Sequence, residues 1–210
     1  RIRYGYDNVS VVPNGINVEA ILPREPRLGD GLIRIVNVAR LNHQKKGQDI
    51  LIKAIALLRD RGLDNLSVAF IGEGDSRTFL EKMSADLNVA DRVDFLGLKD
   101  RDYIYQHLCD YDLMCHPSRF EGFGLTVAEG MVAKLPVLVA TGDGPYEIIG
   151  QGKYGFSFEN GSVESCADTL EYMIKNYHLI VANVEVARKH IEKKYSVERM
   201  VAQYNKAYRK

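Results

Sequence analysis

The sequence carries no excess of charge of either sign. Lysine and arginine together number 28, aspartate and glutamate also number 28, and the formal net charge at pH 7 is zero. Proteins that hold nucleic acid or an acidic membrane surface through general electrostatics usually carry a basic excess. The neutral total therefore argues against both kinds of partner, although it leaves room for a local cationic pocket.

Cysteine is scarce, and long hydrophobic runs are absent. The three cysteines, Cys109, Cys115 and Cys166, are odd in number and lack the spacing of a disulfide framework or a metal site. Reduced, partly buried thiols are the expected state, which fits a cytoplasmic protein, and no bound metal is expected. The longest apolar runs have the length of strands, so no membrane span is expected.

Two phosphate-binding motifs are missing from the sequence. No GxxxxGK(S/T) loop occurs, which argues against a P-loop kinase or GTPase. The stretch GEGDSR (72–77) has the first two glycines of a dinucleotide fingerprint but carries Arg77 in the third position. It also follows the second predicted strand, whereas the fingerprint follows the first strand of its sheet. A dehydrogenase is therefore disfavoured, and tight turning before a helix is enough to explain these glycines.

An initiator methionine is missing as well. The chain begins RIRYGYDNVSVVPNGIN, which is typical of a linker in the middle of a longer protein. We expect residues 1–17 to be a linker from an N-terminal domain outside this chain, residues 18–195 to form one large domain and residues 196–210 to form a C-terminal helix. A chain of 210 residues with 46% hydrophobic content can bury a sizeable core.

From residue 32 onward, short apolar runs alternate with amphipathic segments. The run LIRIVNVA (32–39) is β-branched and almost continuously apolar, as a buried parallel strand is, and GQDILIKAIALLRDRG (47–62) has helical spacing and ends at a glycine. Short connections between strands and helices predict right-handed crossovers and a mostly parallel sheet covered on both faces, a Rossmann-like doubly wound α/β fold. Further strands are predicted at 67–72, 92–97, 111–117, 136–140 and 154–158, and further helices at 76–88, 101–108, 124–134, 145–150, 163–177, 179–193 and 197–209.

Polar residues collect in the loops that follow the predicted strands. Doubly wound sheets bind ligands at the carboxyl ends of their strands, so a site is expected among these loops. The first loop, RLNHQKKG (40–47), places Arg40, Lys45 and Lys46 between a strand end and a helix start. Such cations form an anion site, most naturally for phosphate. The alternative is a solvated charged loop.

The loop HPSRFEGFG (116–124) is the most unusual stretch of the sequence. Gly122 and Gly124 let backbone N–H groups approach a ligand closely at a helix start. A carboxylate repels phosphate, so Glu121 needs another reason to stand beside a phosphate-binding loop. Sugar hydroxyls, which donate hydrogen bonds, would supply that reason.

Three further features lie near the same edge of the predicted sheet. Glu129 either accepts the paired hydroxyls of a ribose or completes a capping box with Thr126, which would place the helix start at Thr126. His116 directly follows its strand, either as a functional group or as a packing residue. The loop TGDGPYE (141–147) either closes over the ligand or is an ordinary turn before a helix with Pro145 in its first turn. Cations, backbone donors and two carboxylates together indicate a diphosphate flanked by two polyols, which is a nucleotide-sugar.

Several stretches of the sequence resemble a known enzyme family. VARLNHQKKGQDILIKA, FIGEGDSR, VDFLG and PSRFEGFGLTVAEGMVAKLPVLVA are similar to the retaining glycosyltransferases of the GT-B fold, also described as group 1 or family 4-like enzymes. The pair Glu121 and Glu129 is the most specific mark, and Arg40 and Lys46 stand at the family's distance upstream. The stretch VVPNGIN (11–17) resembles the linker that enters the family's C-terminal, donor-binding domain.

The resemblance implies a reaction and a role for each matching residue. It implies transfer of a hexosyl group from an NDP-sugar, a UDP- or GDP-hexose, with retention of anomeric configuration and without a cofactor or metal. Arg40 and Lys46 would hold the diphosphate as leaving group, Glu121 would contact the sugar hydroxyls, and Glu129 would contact the ribose. The other donor-binding residues implied are Gly72, Leu98 (near the base), His116, Gly122, Phe123, Gly124, Leu125 and Thr126.

The resemblance also raises expectations about the rest of the protein. The family's N-terminal domain supplies the acceptor site, so this chain is expected to bind nucleotide but to transfer little by itself. The acceptor would be a sugar or a lipid-linked sugar in bacterial polysaccharide or glycolipid synthesis. Peripheral contact with the inner face of the membrane would belong to the full-length protein.

Two departures from the family pattern and several alternatives accompany these expectations. The loop after Arg40 is one residue longer than in many relatives, which makes Lys45 a rival to Lys46, and TGDGPYE replaces the commoner ending GGxxE. One alternative is another GT-B enzyme, such as an NDP-sugar epimerase or a phosphorylase. The other is a nucleotide-binding module without catalysis.

Overall fold

Six parallel strands form a single sheet. The structure, a computed structural model, describes residues 10–25 and 31–209. The order of the strands across the sheet is β3-β2-β1-β4-β5-β6, and every neighbouring pair is parallel. This order is that of a doubly wound Rossmann-like sheet, so the predicted fold class is confirmed. The strands are β1 (Ile33–Val38), β2 (Leu66–Ile71), β3 (Val93–Gly97), β4 (Leu113–His116), β5 (Val137–Ala140) and β6 (Phe156–Phe158).

Helices cover both faces of this sheet. Each strand and nearly every helix lies where the sequence predicted it, to within a few residues. Across the described residues the helices are α1 (His43–Lys46), α2 (Gln48–Asp60), α3 (Arg77–Asp86), α4 (Arg101–His107), α5 (Leu125–Val132), α6 (Gly144–Ile148), α7 (Val163–Lys175), α8 (Tyr177–Ile180), α9 (Val184–Tyr195) and α10 (Val197–Tyr208).

The prediction of a single helix over residues 179–193 is wrong. The chain forms α8, a 3₁₀ turn at Val181–Asn183 and then α9. Ile180 is buried in the core on one face of the sheet, whereas Ala187 and Ile191 are buried in the core on the other face. The chain therefore has to turn between them, and the 3₁₀ segment is where it does so.

Two hydrophobic cores lie on opposite faces of the sheet. Ile35 of β1 belongs to one core, with residues of α2 and α7, and its neighbour Val36 belongs to the other, with residues of α5 and α9. Both side chains are fully buried. Burial on both faces explains why the sequence of β1 is apolar almost without interruption rather than alternating.

Hydrogen bonds and an ion pair tie the chain before β1 to the domain. Ile16 N–H donates to Tyr195 O at 2.7 Å, and Val197 N–H donates to Ile16 O at 3.1 Å, which fixes the junction of α9 and α10. Further on, the buried guanidinium of Arg24 pairs with Asp112. The first nine residues of the predicted linker lie outside the described residues.

The remaining expectations concern membrane spans and the state of the cysteines. Among the helices that the structure describes, none is long and apolar enough to cross a membrane. Cys115 and Cys166 are buried, Cys109 is partly exposed, and none of the three is joined in a disulfide within the described residues, in agreement with the expected thiols.

Candidate functional site

The candidate site lies where the strand order reverses. β1 and β4 are neighbours in the sheet, but the chain leaves β1 towards β2 on one side and leaves β4 towards β5 on the other. The loops that follow β1 and β4 therefore diverge at their carboxyl ends and leave a crevice, which is where such sheets bind ligands.

The loop after β1 contains the short helix α1, which sequence reasoning missed. Asn42 Oδ1 accepts a hydrogen bond from Lys45 N–H at 3.1 Å and caps this helix, and Gly47 ends it in a left-handed conformation with φ 67°. A Cβ on Gly47 would stand 1.9 Å from Pro117 O, so only glycine allows the two loops to approach this closely.

Arg119 clamps α1 against the loop after β4. Its guanidinium donates to both carboxylate oxygens of Asp49, at 2.8 and 2.9 Å, and to His43 O at 2.7 Å. Its backbone N–H donates to Lys45 O at 2.8 Å. Burial raises the pKa of the Asp49 carboxyl, but hydrogen bonds and charge from Arg119 outweigh this effect and leave that pKa below its usual value. The clamp fixes the position from which Lys46 extends.

Glu121 stands beside two basic side chains. The ammonium of Lys46, rather than that of Lys45, forms an ion pair with the Glu121 carboxylate, and His116 Nε2 lies 3.6 Å from Glu121 Oε2. Interaction with His116 and then with Lys46 outweighs burial and lowers the pKa of Glu121 to about 2. His116 itself is buried, with Nε2 also 3.0 Å from Ser118 Oγ.

The loop after β5 packs against the loop that carries Glu121. Glu121 N–H donates to Asp143 Oδ2 at 3.0 Å, and Gly144 N–H donates to Glu121 O at 3.0 Å. Pro145 occupies the first turn of α6, as predicted. Sequence reasoning named this loop but missed Asp143, whose carboxylate fixes the backbone of Glu121.

Helix α5 begins without a capping side chain. Gly124 is its N-cap, in a left-handed conformation with φ 92° and ψ 52°, and no side chain accepts a hydrogen bond there. The N–H groups of Leu125 and Thr126 have no hydrogen-bond partner in the part of the chain that the structure describes. These amides and the helix dipole give the start of α5 a partial positive charge. Gly122, by contrast, is exposed.

The capping-box interpretation of Glu129 is wrong. Helix α5 begins at Leu125, because Gly124 takes the N-cap position, and Glu129 lies inside the helix. Its side chain is buried, with the residue 8% exposed, and accepts a long hydrogen bond of 3.4 Å from Tyr105 Oη. Burial raises the pKa of Glu129, and the hydrogen bond from Tyr105 offsets only part of that effect.

A cavity of about 530 Å³ opens at the ends of β1, β2 and β3. Arg40 reaches it from the loop after β1; its side chain is 68% exposed and has Asp75 at 3.5 Å. A Cβ on Gly72 would lie 2.1 Å from Ala39 O, so close approach of two loops, and not turning alone, requires that glycine. The lining residues are Val38, Ala39, Arg40, Ile71, Gly72, Glu73, Gly74, Leu98, Lys99, Ile104 and Thr126.

The structure thus brings the predicted site residues to one edge of the sheet. Those in the cavity wall are Arg40, Gly72, Leu98 and Thr126. Lys46, Glu121 and His116 form a second group beside the start of α5. The ring of Phe123 packs edge-on against Tyr195, with centroids 5.7 Å apart. The residues that sequence reasoning missed are Asp49, Glu73, Lys99, Tyr105, Arg119 and Asp143.

The chain is similar to known sugar transferases over most of its length. The family described as "Glycosyl transferases group 1" matches residues 19–196. An uncharacterized glycosyltransferase of Methanocaldococcus jannaschii, MJ1607, is 28% identical over 214 residues, which cover 97% of this chain and 54% of that protein. A GDP-mannose-dependent alpha-(1-6)-phosphatidylinositol monomannoside mannosyltransferase of Mycobacterium tuberculosis is 29% identical over 137 residues, which cover 62% of this chain and 35% of that protein.

A solved structure shares the fold. The crystal structure of Anabaena HepE in complex with UDP and glucose has a TM-score of 0.83 and 23% identity, over 95% of this chain and 56% of that one. The chain thus spans about half the length of MJ1607 and of HepE. Because the family match covers most of the 210 residues, the chain belongs to the group 1 glycosyl transferases.

Proposed function

We propose that the chain is the donor-binding part of a retaining hexosyltransferase whose substrate is a UDP- or GDP-hexose. One observation carries the proposal. Two cations, an uncapped helix start and a salt-bridged carboxylate converge at the reversal point of a parallel sheet, beside a cavity of about 530 Å³. A diphosphate with a sugar on each side supplies partners for all of these groups.

Arg40 and Lys46 would hold the diphosphate of the donor. Arg40 is loosely held in the protein, by a contact of 3.5 Å to Asp75, so its guanidinium is available to a stronger anion. The unpartnered N–H groups at the start of α5 would add donors from the other side. Negative charge grows on the departing diphosphate as the glycosidic bond breaks, so fixed cations and amides lower the barrier.

Glu121 would accept hydrogen bonds from hydroxyls of the transferred sugar. With a pKa of about 2 it carries only acceptors at neutral pH, and Lys46 balances its charge so that a nearby phosphate is not repelled. A Cβ on Gly122 would meet no atom within 4 Å, so no packing contact within the described residues explains this glycine. Space kept open for the ligand would explain it.

Glu129 would accept the two hydroxyls of the ribose. It lies one helical turn beyond Thr126, which lines the cavity, and its carboxylate has only the long contact from Tyr105 as a hydrogen-bond partner in the described chain. A vicinal diol offers two donors to the two oxygens of one carboxylate. Binding would thus satisfy a carboxylate that is costly to bury alone.

The relatives indicate two possible donor nucleotides, and the acceptor has to be inferred separately. The mycobacterial relative is named as GDP-mannose-dependent, and HepE was solved with UDP and glucose. We infer that the acceptor, a sugar or lipid-linked sugar in polysaccharide or glycolipid synthesis, binds mostly against a part of the enzyme that this chain does not include. The chain alone would then bind nucleotide and transfer little.

Calorimetric titration of the 210-residue chain with UDP and GDP tests the donor site. At least one should bind, and Arg40→Ala should weaken it about tenfold or more, since a hydrogen bond to a charged group contributes roughly 1.5 to 3 kcal/mol. Lys189→Ala is the matched control, because Lys189 is 70% exposed and has one loose ion pair of 4.0 Å on α9. Absence of binding at millimolar nucleotide, or equal losses in the two variants, would contradict the proposal.

Retention needs its own test in the full-length enzyme. The anomeric configuration of the product, followed by NMR from a donor of known configuration, should be unchanged. Binding of nucleotide without any transfer by the full-length enzyme would indicate a non-catalytic binding module instead.

A further inference from the structure

The cavity contains two charged groups that the diphosphate does not use. Three of its lining side chains are charged, namely Arg40, Glu73 and Lys99. In the proposed function Arg40 binds phosphate. Most of the remaining wall is glycine or aliphatic, from Val38, Ile71 and Ile104 among others, and suits the faces of a planar ring. This leaves Glu73 and Lys99 to contact the edge of that ring. The Lys99 ammonium also lies 4.9 Å from the centroid of the Tyr103 ring, a contact that a carbonyl oxygen of a bound base would replace.

Glu73 and Lys99 lie at the ends of adjacent strands. Glu73 follows β2 and Lys99 follows β3, and the two loops are joined by a hydrogen bond of 2.9 Å from Gly72 N–H to Gly97 O. Glu73 Oε1 lies 3.1 Å from the place where a Cβ on Gly97 would stand. The carboxylate thus lies directly over the end of β3, two residues before Lys99.

Arg77 holds the carboxylate of Glu73 in place from one side. Arg77 Nη1 donates to Glu73 Oε1 at 2.5 Å, and Arg77 Nε donates to Glu81 at 2.8 Å. Glu73 Oε2 has no hydrogen-bond partner within the described residues. Oε2 is thus unused, and Oε1 keeps a second lone pair beside Arg77, so the carboxylate can still accept two hydrogen bonds. An oriented carboxylate of this kind, in the wall of a mostly apolar cavity, is a recognition group for a ligand that donates hydrogen bonds.

The four common bases differ in what they present to a carboxylate. Guanine offers two adjacent donors, N1–H and the N2 amino group, next to the acceptor O6, which suits a lysine. Uracil offers a single N–H between two carbonyl oxygens, and both of these oxygens would repel a carboxylate that accepts from the N–H. Adenine and cytosine place one amino donor beside a ring nitrogen that is itself an acceptor. Only guanine offers two donors to one carboxylate and, beside them, an acceptor for an ammonium.

We infer that this cavity binds guanine, with Glu73 accepting from N1–H and the N2 amino group and Lys99 donating to O6, so that the donor is a GDP-linked sugar. The inference rests on the proposed donor site and narrows its substrate. It makes Glu73 a specificity-determining residue.

Titration of the 210-residue chain with GDP, UDP, ADP and CDP tests the inference. GDP should bind most tightly, by roughly 5- to 150-fold, which is the discrimination that one bidentate base contact provides. Glu73→Gln keeps the size of the side chain but replaces one acceptor by a donor. It should reduce the affinity for GDP about tenfold and leave the affinity for UDP unchanged or higher.

Glu81→Gln is the control for this experiment. Glu81 has the same exposure as Glu73, 45%, and pairs with the same arginine, but it does not line the cavity. It should leave the preference for GDP intact. Tighter binding of another diphosphate, or equal effects of Glu73→Gln and Glu81→Gln, would overturn guanine recognition while leaving the donor site standing. Failure of all four nucleotides to bind would overturn both.

Discussion

Two glycines in the stretch EGFG are expected to respond in opposite ways to the same substitution. Gly124 is the buried N-cap of α5, with φ 92°, whereas Gly122 is exposed and its Cβ would meet nothing within 4 Å. We predict that Gly124→Ala destabilises the fold. We predict that Gly122→Ala leaves the fold unchanged and weakens nucleotide-sugar binding.

The cost at Gly124 has two parts. An alanine in the left-handed region costs about 1 to 2 kcal/mol. Its Cβ would also stand 2.9 Å from Pro145 Cγ and 3.4 Å from Pro145 Cα, against a rigid ring that cannot rotate away, and such overpacking costs roughly 1 to 3 kcal/mol. The sum, about 3 kcal/mol, corresponds to a Tm lower by about 6 to 12 °C for a chain of this size. Gly122→Ala should stay within about 0.5 kcal/mol of the parent.

Thermal unfolding followed by circular dichroism measures the first effect, and calorimetric titration with a nucleotide-sugar measures the second. Gly122→Ala should lower the affinity about fivefold or more, since a methyl group that displaces the ligand by a fraction of an ångström costs about 1 kcal/mol. A parental Tm for Gly124→Ala would refute the conformational argument. Parental affinity for Gly122→Ala would refute the idea that the open space at this glycine belongs to a ligand.

Two further predictions concern the electrostatics of the site. The pKa of Glu121 falls from 4.5 to about 2 on folding, so its stabilising contribution is present above about pH 4.5 and is lost as the pH falls towards 2. The difference in unfolding free energy between the parent and Glu121→Gln, measured by urea unfolding, should therefore be roughly 2 kcal/mol smaller at pH 3 than at pH 6. A difference that does not change with pH would contradict this reasoning. Arg119→Lys cannot keep both bonds to Asp49, so we expect a loss of roughly 2 kcal/mol in unfolding free energy together with weaker nucleotide binding. Unchanged binding would show that the clamp does not position Lys46.

Most helices and strands were predictable because their signals are local. Each strand of the sheet is a short apolar run bounded by turn residues, and each long helix has one apolar face. Helix α1 has neither signal, because it has only four residues and its position depends on distant partners. Gly47 packs against Pro117 O, and Lys45 O accepts from Arg119 N–H. Contacts made between loops some 70 residues apart leave no pattern in the intervening sequence.

The location of the candidate site was predictable for a different reason. In a doubly wound sheet, the loops that follow the strands converge at one edge whatever their sequences, so unusual residues in those loops have to be neighbours. The pairing within that edge was not predictable. Lys45 and Lys46 are the same residue type at adjacent positions, so the sequence does not distinguish between them. Only the orientation of α1 places the Lys46 ammonium beside the Glu121 carboxylate. Similarly, Thr126 and Glu129 have the spacing of a capping box, but Gly124 rather than Thr126 occupies the N-cap position.

The two glutamates of the most specific motif illustrate what the surroundings add to residue type. Glu121 has His116 and Lys46 beside it and a pKa of about 2, whereas burial raises the pKa of Glu129, eight residues away. The first carboxylate is already stabilised by charge, so it can accept sugar hydroxyls close to a diphosphate without adding an uncompensated negative charge. The second is costly to bury with one long hydrogen bond, and a ribose diol would lower that cost on binding. In the proposed function, substitution of Glu121 should therefore change the net charge beside the diphosphate during the reaction. Substitution of Glu129 should mainly weaken binding of the donor.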